Sequence, residues 1–423
     1  MIYLAFISLG LPDSLLGSAW PSMYPDLGAG VSWAGIVSMI IAAGTIVSSL
    51  ASDRLTRTLG TGRVTAFSVL MTAAALLGFS FSSSFWMLCL CAIPYGLGAG
   101  SVDAALNNFV ALHYPARHMS WLHCMWGIGA SVGPMIMGWA ITGGLRWNGG
   151  YQIIAVIQII LTALLFLTLP LWKMAPAPIL DTASDTAKAA VTEANNSTTG
   201  ATADKSGNNA ASAAADVSCN HPAARLTIFQ ILKRRGIKEV LICFFCYCAM
   251  EGAAGMWAAS YCTIERGITA EQAAQWASLF YLGITAGRFI CGFITLKFND
   301  RNMIRIGQIT AAIGLICVIL PLGNAVLLAG LILIGCGCAP IYPSIIHETP
   351  ANFGRELSQA VIGIQMAAAY TGTCLIPPLF GMIAEHASFA LYPYFLGIIL
   401  LLMILMSEKL HLTLQRARRH RRT

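Results

Sequence analysis

Residues 85–111 read FWMLCLCAIPYGLGAGSVDAALNNFVA, and this stretch decides the fold. It contains one charged side chain, that of Asp103. A helix of about 20 apolar residues crosses a hydrocarbon core of about 30 Å, so the stretch is long enough to span a bilayer. A charge near the centre of a bilayer costs about 2.5–3.5 kcal/mol or more. We therefore predict a membrane-spanning helix whose single acid has a function.

The composition extends this prediction to most of the chain. Of the 423 residues, 57% are hydrophobic and only 10% are charged, whereas about 25% are charged in typical soluble domains. We predict an all-α membrane protein with twelve transmembrane helices. The predicted spans lie near residues 2–24, 31–51, 64–82, 85–111, 119–142, 151–172, 237–262, 272–296, 303–321, 326–347, 357–384 and 388–407.

A polar segment separates the predicted spans into two sets of six. From residue 181 to residue 216 it consists almost entirely of small and polar residues, a composition that cannot bury a core. We predict a six-helix bundle over residues 1–173, a disordered linker over 174–235 and a second six-helix bundle over 236–409. A basic tail is predicted over 410–423.

The two halves carry matching motifs. Asp53-Arg54 follows the second predicted span, and Asp300-Arg301 follows the eighth, 247 residues later. A Cys-x-Cys-Ala sequence in the fourth span recurs in the tenth at the same offset. Weak internal symmetry of this kind is typical of secondary transporters, so we predict that the halves arose by duplication.

Most of the 25 Lys and Arg residues lie on one side of the predicted spans, together with the linker and both termini. Because basic loops stay in the cytoplasm, we predict a multi-pass protein of the plasma membrane (the inner membrane in a bacterium) with cytoplasmic termini. We expect the basic tail to face anionic lipid. The lipid bilayer is an expected partner, nucleic acid is not, and the chain is expected to be a monomer.

The sequence offers no set of residues typical of an enzyme or a metal site. Cys243-x-x-Cys246 has the spacing of a redox or metal motif, but it lies in an apolar span without His or acidic partners. Metal sites need a complete ligand set, and no nucleophile–base pair stands in a plausible position. We expect no enzyme activity, no metal and no cofactor. The ion that we expect to be coupled to transport is the proton.

The loop after the second span reads SLASDRLTRTLGTGR at residues 49–63. It resembles the Gly-x-x-x-Asp-Arg-x-Gly-Arg-Arg signature of the major facilitator superfamily, although Ser49 replaces the first Gly and the basic residues are more widely spaced. With twelve spans and a long central segment, the resemblance implies the fold of that superfamily, in which two six-helix bundles are related by pseudo-two-fold symmetry.

The same resemblance implies that Asp53 and Arg54 help to lock a cytoplasmic gate, and we assign Arg57 to this gate as well. Physically, the Asp53 carboxylate could face the positive N-terminus of the helix that we expect to start near Leu357. The alternative is that these charged residues only fix the orientation of the loop.

Residues 96–110 read GLGAGSVDAALNNFV. They resemble the fourth helix of the fucose/glucose–proton symporter family, although Asp103 stands where a Glu is expected. The fifth, seventh, eighth and tenth spans also contain short sequences similar to that family. The resemblance implies that Asp103 couples protons to transport. Asn107 lies on the same helix face as Asp103, so it could bind a sugar hydroxyl.

Two further acids, Asp13 and Glu251, interrupt the first and seventh spans, at positions equivalent to the fourth. Removing a carboxyl from water disfavours its charged form, so each acid could load a proton on one side and release it on the other. Asp13 could instead end or kink the helix beside Pro12. Glu251 is a candidate for substrate contact as well, and we expect Arg288 to pair with an acid.

Other polar and aromatic side chains in the spans are candidates for binding a polyhydroxylated solute, since amides and hydroxyls bond its hydroxyl groups and tryptophan stacks on a sugar ring. The alternatives are helix–helix hydrogen bonds and interfacial aromatic residues. The candidate substrate-binding residues are Asn107, His123, Glu251, Trp257, Gln365 and Tyr370.

Together these features predict a secondary active transporter that moves a monosaccharide or similar solute with protons by alternating access. One alternative is a proton-driven efflux antiporter. Gly129-x-x-x-Gly133-Pro134 partly resembles an antiporter motif, but the Gly-Gly expected after the proline is absent. A second alternative is a nutrient sensor that does not transport.

Overall fold

The computed structural model describes residues 1–13, 15–30, 33–174 and 227–420. Residues 175–226 of the predicted disordered linker lie outside these ranges, so disorder there stays a prediction, whereas Ile228–Leu232 near its end forms a short helix. Within the described residues the chain forms helices and connecting turns and contains no strand. Twelve helical segments are long and apolar enough to cross a membrane, which confirms the predicted all-α class.

We number the spans 1 to 12 in chain order. Span 1 contains two helices, Ile2–Asp13 and Leu15–Asp26, and span 10 contains Asn324–Cys338 and Ile341–Phe353. The other spans are the single helices Ala34–Leu59, Thr61–Ser80, Phe85–His113, Ala116–Thr142, Arg146–Leu167, Ile237–Ile264, Ala270–Ile294, Asp300–Ile319, Arg355–His386 and Tyr392–His420. The remaining short elements are the helix Ile228–Leu232 and the 3-10 helices Leu169–Met174 and Phe389–Leu391.

Two elements differ in detail from the sequence-based expectation. Span 12 continues to His420, so the described part of the basic tail extends the last span as helix. Span 10 is interrupted between Cys338 and Ile341, where Pro340 has no N–H to continue the hydrogen-bond ladder. The break brings Tyr342, two residues beyond Pro340, to the cavity described below.

The six spans of each half pack in the same pattern. Span 1 packs against span 5 as span 7 packs against span 11, and span 2 packs against span 4 as span 8 packs against span 10. Span 3 lies against spans 4 and 6 as span 9 lies against spans 10 and 12. The repeated pattern confirms two related six-helix bundles.

Glycines bring the repeated pairs into close contact. A Cβ atom at Gly100 in span 4 would collide with the Thr45 carbonyl in span 2, and a Cβ atom at Gly335 in span 10 would collide with the Phe280 carbonyl in span 8. Lipid tails are as apolar as the spans, so close packing through small residues is what holds membrane helices together.

The two halves meet on the side of the membrane where the linker begins and ends, which we call the linker side. Span 2 packs against span 11 there, and span 5 packs against span 8. Ser358 Oγ donates a hydrogen bond to Asn108 Oδ1 over 2.6 Å, and Trp121 Nε1 donates to the Phe289 carbonyl oxygen over 3.3 Å. These contacts hold the halves together at the base of the cavity.

Candidate functional site

A cavity of about 430 Å³ lies between the two halves. Its walls come from spans 1 to 6 of the first half and from spans 7, 8, 10 and 11 of the second. The lining residues Ser38, Phe79 and Tyr151 lie near span ends away from the linker side. The cavity therefore extends toward the side opposite the linker, and its volume is in the range of small-molecule sites.

Thiol labelling checks this arrangement. Thr373 is exposed and lines the cavity, whereas Ser52 is fully buried and accepts a hydrogen bond from Gln359 across the two halves. We expect a membrane-impermeant maleimide added opposite the linker side to label Thr373→Cys and to leave Ser52→Cys unmodified. Mass spectrometry of the unsubstituted protein gives the background from native cysteines. Equal labelling of both variants would contradict closure on the linker side.

Asp103 is held in the cavity wall by neutral donors. Tyr370 Oη donates to Asp103 Oδ2 over 2.9 Å, and Asn107 Nδ2 donates to Asp103 Oδ1 over 2.8 Å. The aspartate is 4% exposed. Among the described residues no Lys, Arg or His forms an ion pair with it. This carboxyl therefore has no fixed positive charge to hold it in the ionised form.

Asn107 connects Asp103 to His123. The two ends of the Asn107 amide bond different partners, since Asn107 Oδ1 lies 3.0 Å from His123 Nε2. The imidazole lies at the cavity and packs edge-on against the rings of Phe6 and Tyr342. Asn107 itself is fully buried and does not line the cavity, so it positions its neighbours in this state rather than facing a solute.

Asp13 is open to the cavity. Its carboxylate accepts hydrogen bonds from Trp126 Nε1 over 2.7 Å and from Tyr95 Oη over 3.4 Å, and it lies at the end of the first helix of span 1. Both donors are neutral, as they are for Asp103. The structure thus brings Asp13 and Asp103 to one cavity, although they are 90 positions apart in the sequence.

Glu251 has a different environment, because Arg288 pairs with it. Arg288 Nη2 lies 3.6 Å from Glu251 Oε1 and 3.4 Å from Tyr247 Oη, and the Arg288 side chain is 4% exposed. The guanidinium also lies over the Trp126 ring, 5.6 Å from its centroid. Glu251 therefore differs from Asp13 and Asp103 in having a guanidinium beside its carboxylate.

Two predicted binding residues lie away from the cavity wall. Trp257 donates to the Pro377 carbonyl oxygen over 2.8 Å and packs against Phe380 and Phe389. Gln365 is fully buried and accepts a hydrogen bond from Thr349 over 3.1 Å. Neither residue lines the cavity, so in this structure neither side chain is placed to touch a solute there.

Sequence reasoning did not select Trp126, Tyr95 or Tyr342 as cavity residues. Trp126 follows His123 by three positions, a spacing that puts both side chains on one helix face. That spacing was the available signal for Trp126. Tyr342 faces the cavity because of the break in span 10, and Tyr95 because span 4 packs closely on span 2. Neither placement has a local sequence signature.

The predicted gate residues lie on the linker side, where spans 2 and 11 meet. Arg57 Nε pairs with Asp53 Oδ1 over 2.9 Å, and Arg57 Nη2 donates to the Glu356 carbonyl oxygen over 3.0 Å. Span 11 begins at Arg355, so Arg57 rather than Asp53 makes the hydrogen bond to its first turn. Asp53 compensates the Arg57 charge beside the positive helix end. Among the described residues, the Arg54 side chain has no hydrogen-bond or ionic partner.

Arg57→Ala should weaken closure on the linker side. A hydrogen bond of this kind contributes about 0.5–1.5 kcal/mol, so its loss should shift the equilibrium between closed and open arrangements of the linker side by about two- to tenfold. The readout is the maleimide labelling rate of Thr373→Cys, which should fall. Arg54→Ala is the matched control and should leave the rate unchanged. If both substitutions lowered the labelling rate equally, the effect would come from the loss of a positive charge and not from the hydrogen bond of Arg57.

Comparison with known proteins gives a family match. The family model of the Major Facilitator Superfamily matches residues 2–236 and 240–422. Bypass of stop codon protein 6 of Saccharomyces cerevisiae is 23% identical over 406 residues, which cover 92% of this chain and 77% of that protein. The uncharacterized transporter y4wD of Sinorhizobium fredii is 21% identical over 376 residues, which cover 86% of this chain and 85% of that protein.

Solved structures resemble the chain over nearly its whole length. FucP in the outward conformation has a TM-score of 0.69 at 15% identity, over 96% of this chain and 97% of that chain. The human organic anion transporter MFSD10 has a TM-score of 0.70 at 14% identity, over 96% and 97% of the two chains. The proton:xylose symporter XylE has a TM-score of 0.70 at 13% identity, over 96% of this chain and 93% of that chain. At these identities the likeness shows a shared fold.

Proposed function

The chain belongs to the Major Facilitator Superfamily, and on this premise we propose that it is a symporter that carries a monosaccharide or similar polyhydroxylated solute together with protons. The linker side is the cytoplasmic side in this proposal, and the membrane is the plasma membrane. The structure is then the state in which the cavity extends toward the outside.

One observation carries the proton part of the proposal. Asp13 and Asp103 both line the cavity, and their hydrogen-bond donors among the described residues are neutral, whereas Glu251 has a cation beside it. A carboxyl without a fixed counter-charge in a low-dielectric wall gains most from binding a proton. The two aspartates are therefore the proposed proton carriers, and Glu251 is proposed to contact the solute.

The cavity lining supports a polyhydroxylated solute. Tyr95, Tyr370 and His123 offer groups that can donate or accept hydrogen bonds, and the ring of Trp126 offers a face on which a sugar ring can stack. Among proteins of similar fold, FucP of E. coli is a fucose:proton symporter and XylE is a proton:xylose symporter. These neighbours support sugars as the first solutes to test.

Alternating access would rock one half against the other around this cavity. The contacts between span 2 and span 11 and between span 5 and span 8 would break on the linker side, and new contacts would close the other side. In this mechanism a loaded proton and a bound solute travel in the same cavity, so the proton gradient can drive accumulation of the solute.

Uptake into proteoliposomes tests the proposal. Vesicles containing the full chain, with an alkaline interior, should accumulate labelled L-fucose, D-xylose or D-glucose, and a protonophore should abolish the accumulation. Expulsion of a hydrophobic cation driven by the same gradient, without sugar uptake, would support the antiporter alternative. Sugar binding without any movement, seen as thermal stabilisation alone, would support a sensor.

A second candidate is transport of an organic anion, and Arg288 is the observation that favours it. This guanidinium lines the cavity, and its pairing with Glu251 is long at 3.6 Å. Its Nε atom is buried and has no hydrogen-bond partner in the part of the chain that the structure describes. Arginine binds carboxylates in a bidentate manner, and MFSD10 of similar fold is an organic anion transporter. Uptake of D-gluconate in preference to D-glucose, lost in Arg288→Met, would select this candidate.

A further inference from the structure

Trp126 connects two charged groups that belong to different halves of the protein. Its indole Nε1 donates a hydrogen bond to Asp13 Oδ2 over 2.7 Å within the first half. Its ring face carries the guanidinium of Arg288, which belongs to span 8 of the second half, at 5.6 Å. A distance below about 6 Å is that of a cation–π contact. One side chain therefore joins a proposed proton carrier to the opposite half.

The contact between Trp126 and Arg288 belongs to the surface that must open on the linker side. Spans 5 and 8 pack against each other along this surface, and the Trp121 indole donates to the Phe289 carbonyl on the same pair of spans. A Cβ atom at Gly127, next to Trp126, would collide with the Thr285 side chain. Opening the linker side separates these spans and therefore removes Arg288 from the indole face.

The charge on Asp13 influences this contact. An ionised carboxylate accepts the indole N–H strongly, and hydrogen bonds in series polarise one another in a low-dielectric site. The polarised indole presents a more negative face to the guanidinium. A proton on Asp13 removes the negative charge and weakens this effect. The cavity gives Asp13 access to protons, because its side chain is exposed there.

We propose that Trp126 is the positioning residue that makes closure of the linker side depend on the protonation of Asp13. With Asp13 ionised, Trp126 holds Arg288 and the outward-facing cavity is favoured. With Asp13 protonated, the contact weakens and the halves can separate on the linker side. This inference rests on the proposed proton-coupled function, and it explains why an unprotonated carrier would return to the outward-facing state.

Other titratable groups face the same pair and enter the test. Tyr95 of span 4 donates to Asp13. Glu251 and Tyr247 of span 7 face Arg288. Tyr342 of span 10 lines the same cavity. Asp103 and His123 line the same cavity and are further titratable groups there. Since several groups could give a pH dependence, the experiment must separate Asp13 and Trp126 from the others.

The experiment measures the maleimide labelling rate of Thr373→Cys in full-length protein in proteoliposomes between pH 5 and pH 8. Thiol chemistry itself depends on pH, so each rate is divided by that of Ser83→Cys, which is exposed in the loop before span 4. The normalised rate should fall about three- to tenfold toward acid pH, the size expected from one polar contact and one cation–π contact.

Three substitutions then show which residues cause the pH dependence of the labelling rate. Trp126→Phe keeps a ring but removes the N–H. The normalised labelling rate of Thr373→Cys in this variant should therefore stay, at every pH, at the low value that the unsubstituted protein has at acid pH. Asp13→Asn should behave in the same way, and the double variant should show no further change, because the two residues act through one contact. Trp139→Phe, on the same span with a side chain 64% exposed, should follow the unsubstituted pH profile.

Two results would overturn the inference. One is a labelling rate in Trp126→Phe that still depends on pH as in the unsubstituted protein. The other is a decrease of the labelling rate in the double variant that equals the sum of the decreases in Trp126→Phe and Asp13→Asn. The labelling requires no solute, so the inference and the proposed function fail separately. Sugar accumulation with a flat labelling profile removes only the role of Trp126. A pH-dependent profile without sugar uptake removes only the solute assignment.

Discussion

Asp103→Asn should abolish accumulation of sugar against its gradient while leaving exchange of sugar across the membrane. Asparagine has the size of aspartate and can still bond Tyr370 and Asn107, which hold this side chain in the cavity wall. It cannot bind and release a proton, so the solute and the proton gradient become uncoupled. The cavity and the proposed motion of the halves should be retained.

The expected effect is large because it removes the driving force. A proton moved through a pH difference of one unit supplies about 1.4 kcal/mol, which supports a concentration ratio of about tenfold for one proton per solute. In proteoliposomes with that gradient, the unsubstituted protein should raise the ratio of internal to external sugar concentration to as much as about tenfold. With Asp103→Asn the two concentrations should become equal. Counterflow of labelled sugar into vesicles preloaded with unlabelled sugar should be similar for both.

Asp26→Asn is the matched control for this experiment. Asp26 lies outside the cavity lining and pairs with Arg146 over 2.6 Å, so its substitution should leave accumulation intact. Asp13→Asn should also reduce accumulation if both aspartates carry protons. Accumulation to the unsubstituted ratio by Asp103→Asn would exclude this residue from coupling, and loss of both accumulation and counterflow would indicate a substrate or folding role instead.

The extent to which sequence specified this site differs among its residues. The spans and their division into two sets of six follow from apolar length and composition, which are properties of the chain itself. The acids of spans 1, 4 and 7 stood out because charge inside an apolar span is costly. Their convergence on one cavity follows from helix packing. Span 1 packs against span 5, span 7 packs against span 11, and span 11 in turn packs against span 4.

Side-chain contacts across helices were less accessible to sequence reasoning. Trp257 fitted the composition of a sugar site, yet it packs against Phe380 and Phe389 and bonds the Pro377 carbonyl. Trp126, whose only sequence signal was its spacing from His123, lies between Asp13 and Arg288. Which tryptophan faces the cavity depends on the rotation of each helix, and that rotation is set by close contacts such as the one between Gly129 and the Ile7 carbonyl.

The pairing of Glu251 with Arg288 leads to the second large effect, on stability. Removing one member of a buried ion pair leaves an uncompensated charge and costs about 3–5 kcal/mol in proteins. The Arg288 side chain is 4% exposed and the Glu251 side chain is 19% exposed, so the two single variants should differ. Glu251→Gln strands a buried guanidinium and should be the more destabilised. Arg288→Met leaves a carboxylate that water in the cavity can hydrate, so this variant should lose less stability than Glu251→Gln.

The double variant decides whether the pair is coupled. Replacing both members of a buried pair is often nearly neutral, so Glu251→Gln with Arg288→Met should melt closer to the unsubstituted protein than Glu251→Gln does. Thermal unfolding in detergent gives this order, and neighbouring charged groups typically show interaction energies of about 0.5–3 kcal/mol. A double variant whose loss equals the sum of the single losses would show that Arg288 is stabilised by Tyr247 and Trp126 instead, and Glu251 would then be free to act as a third proton carrier.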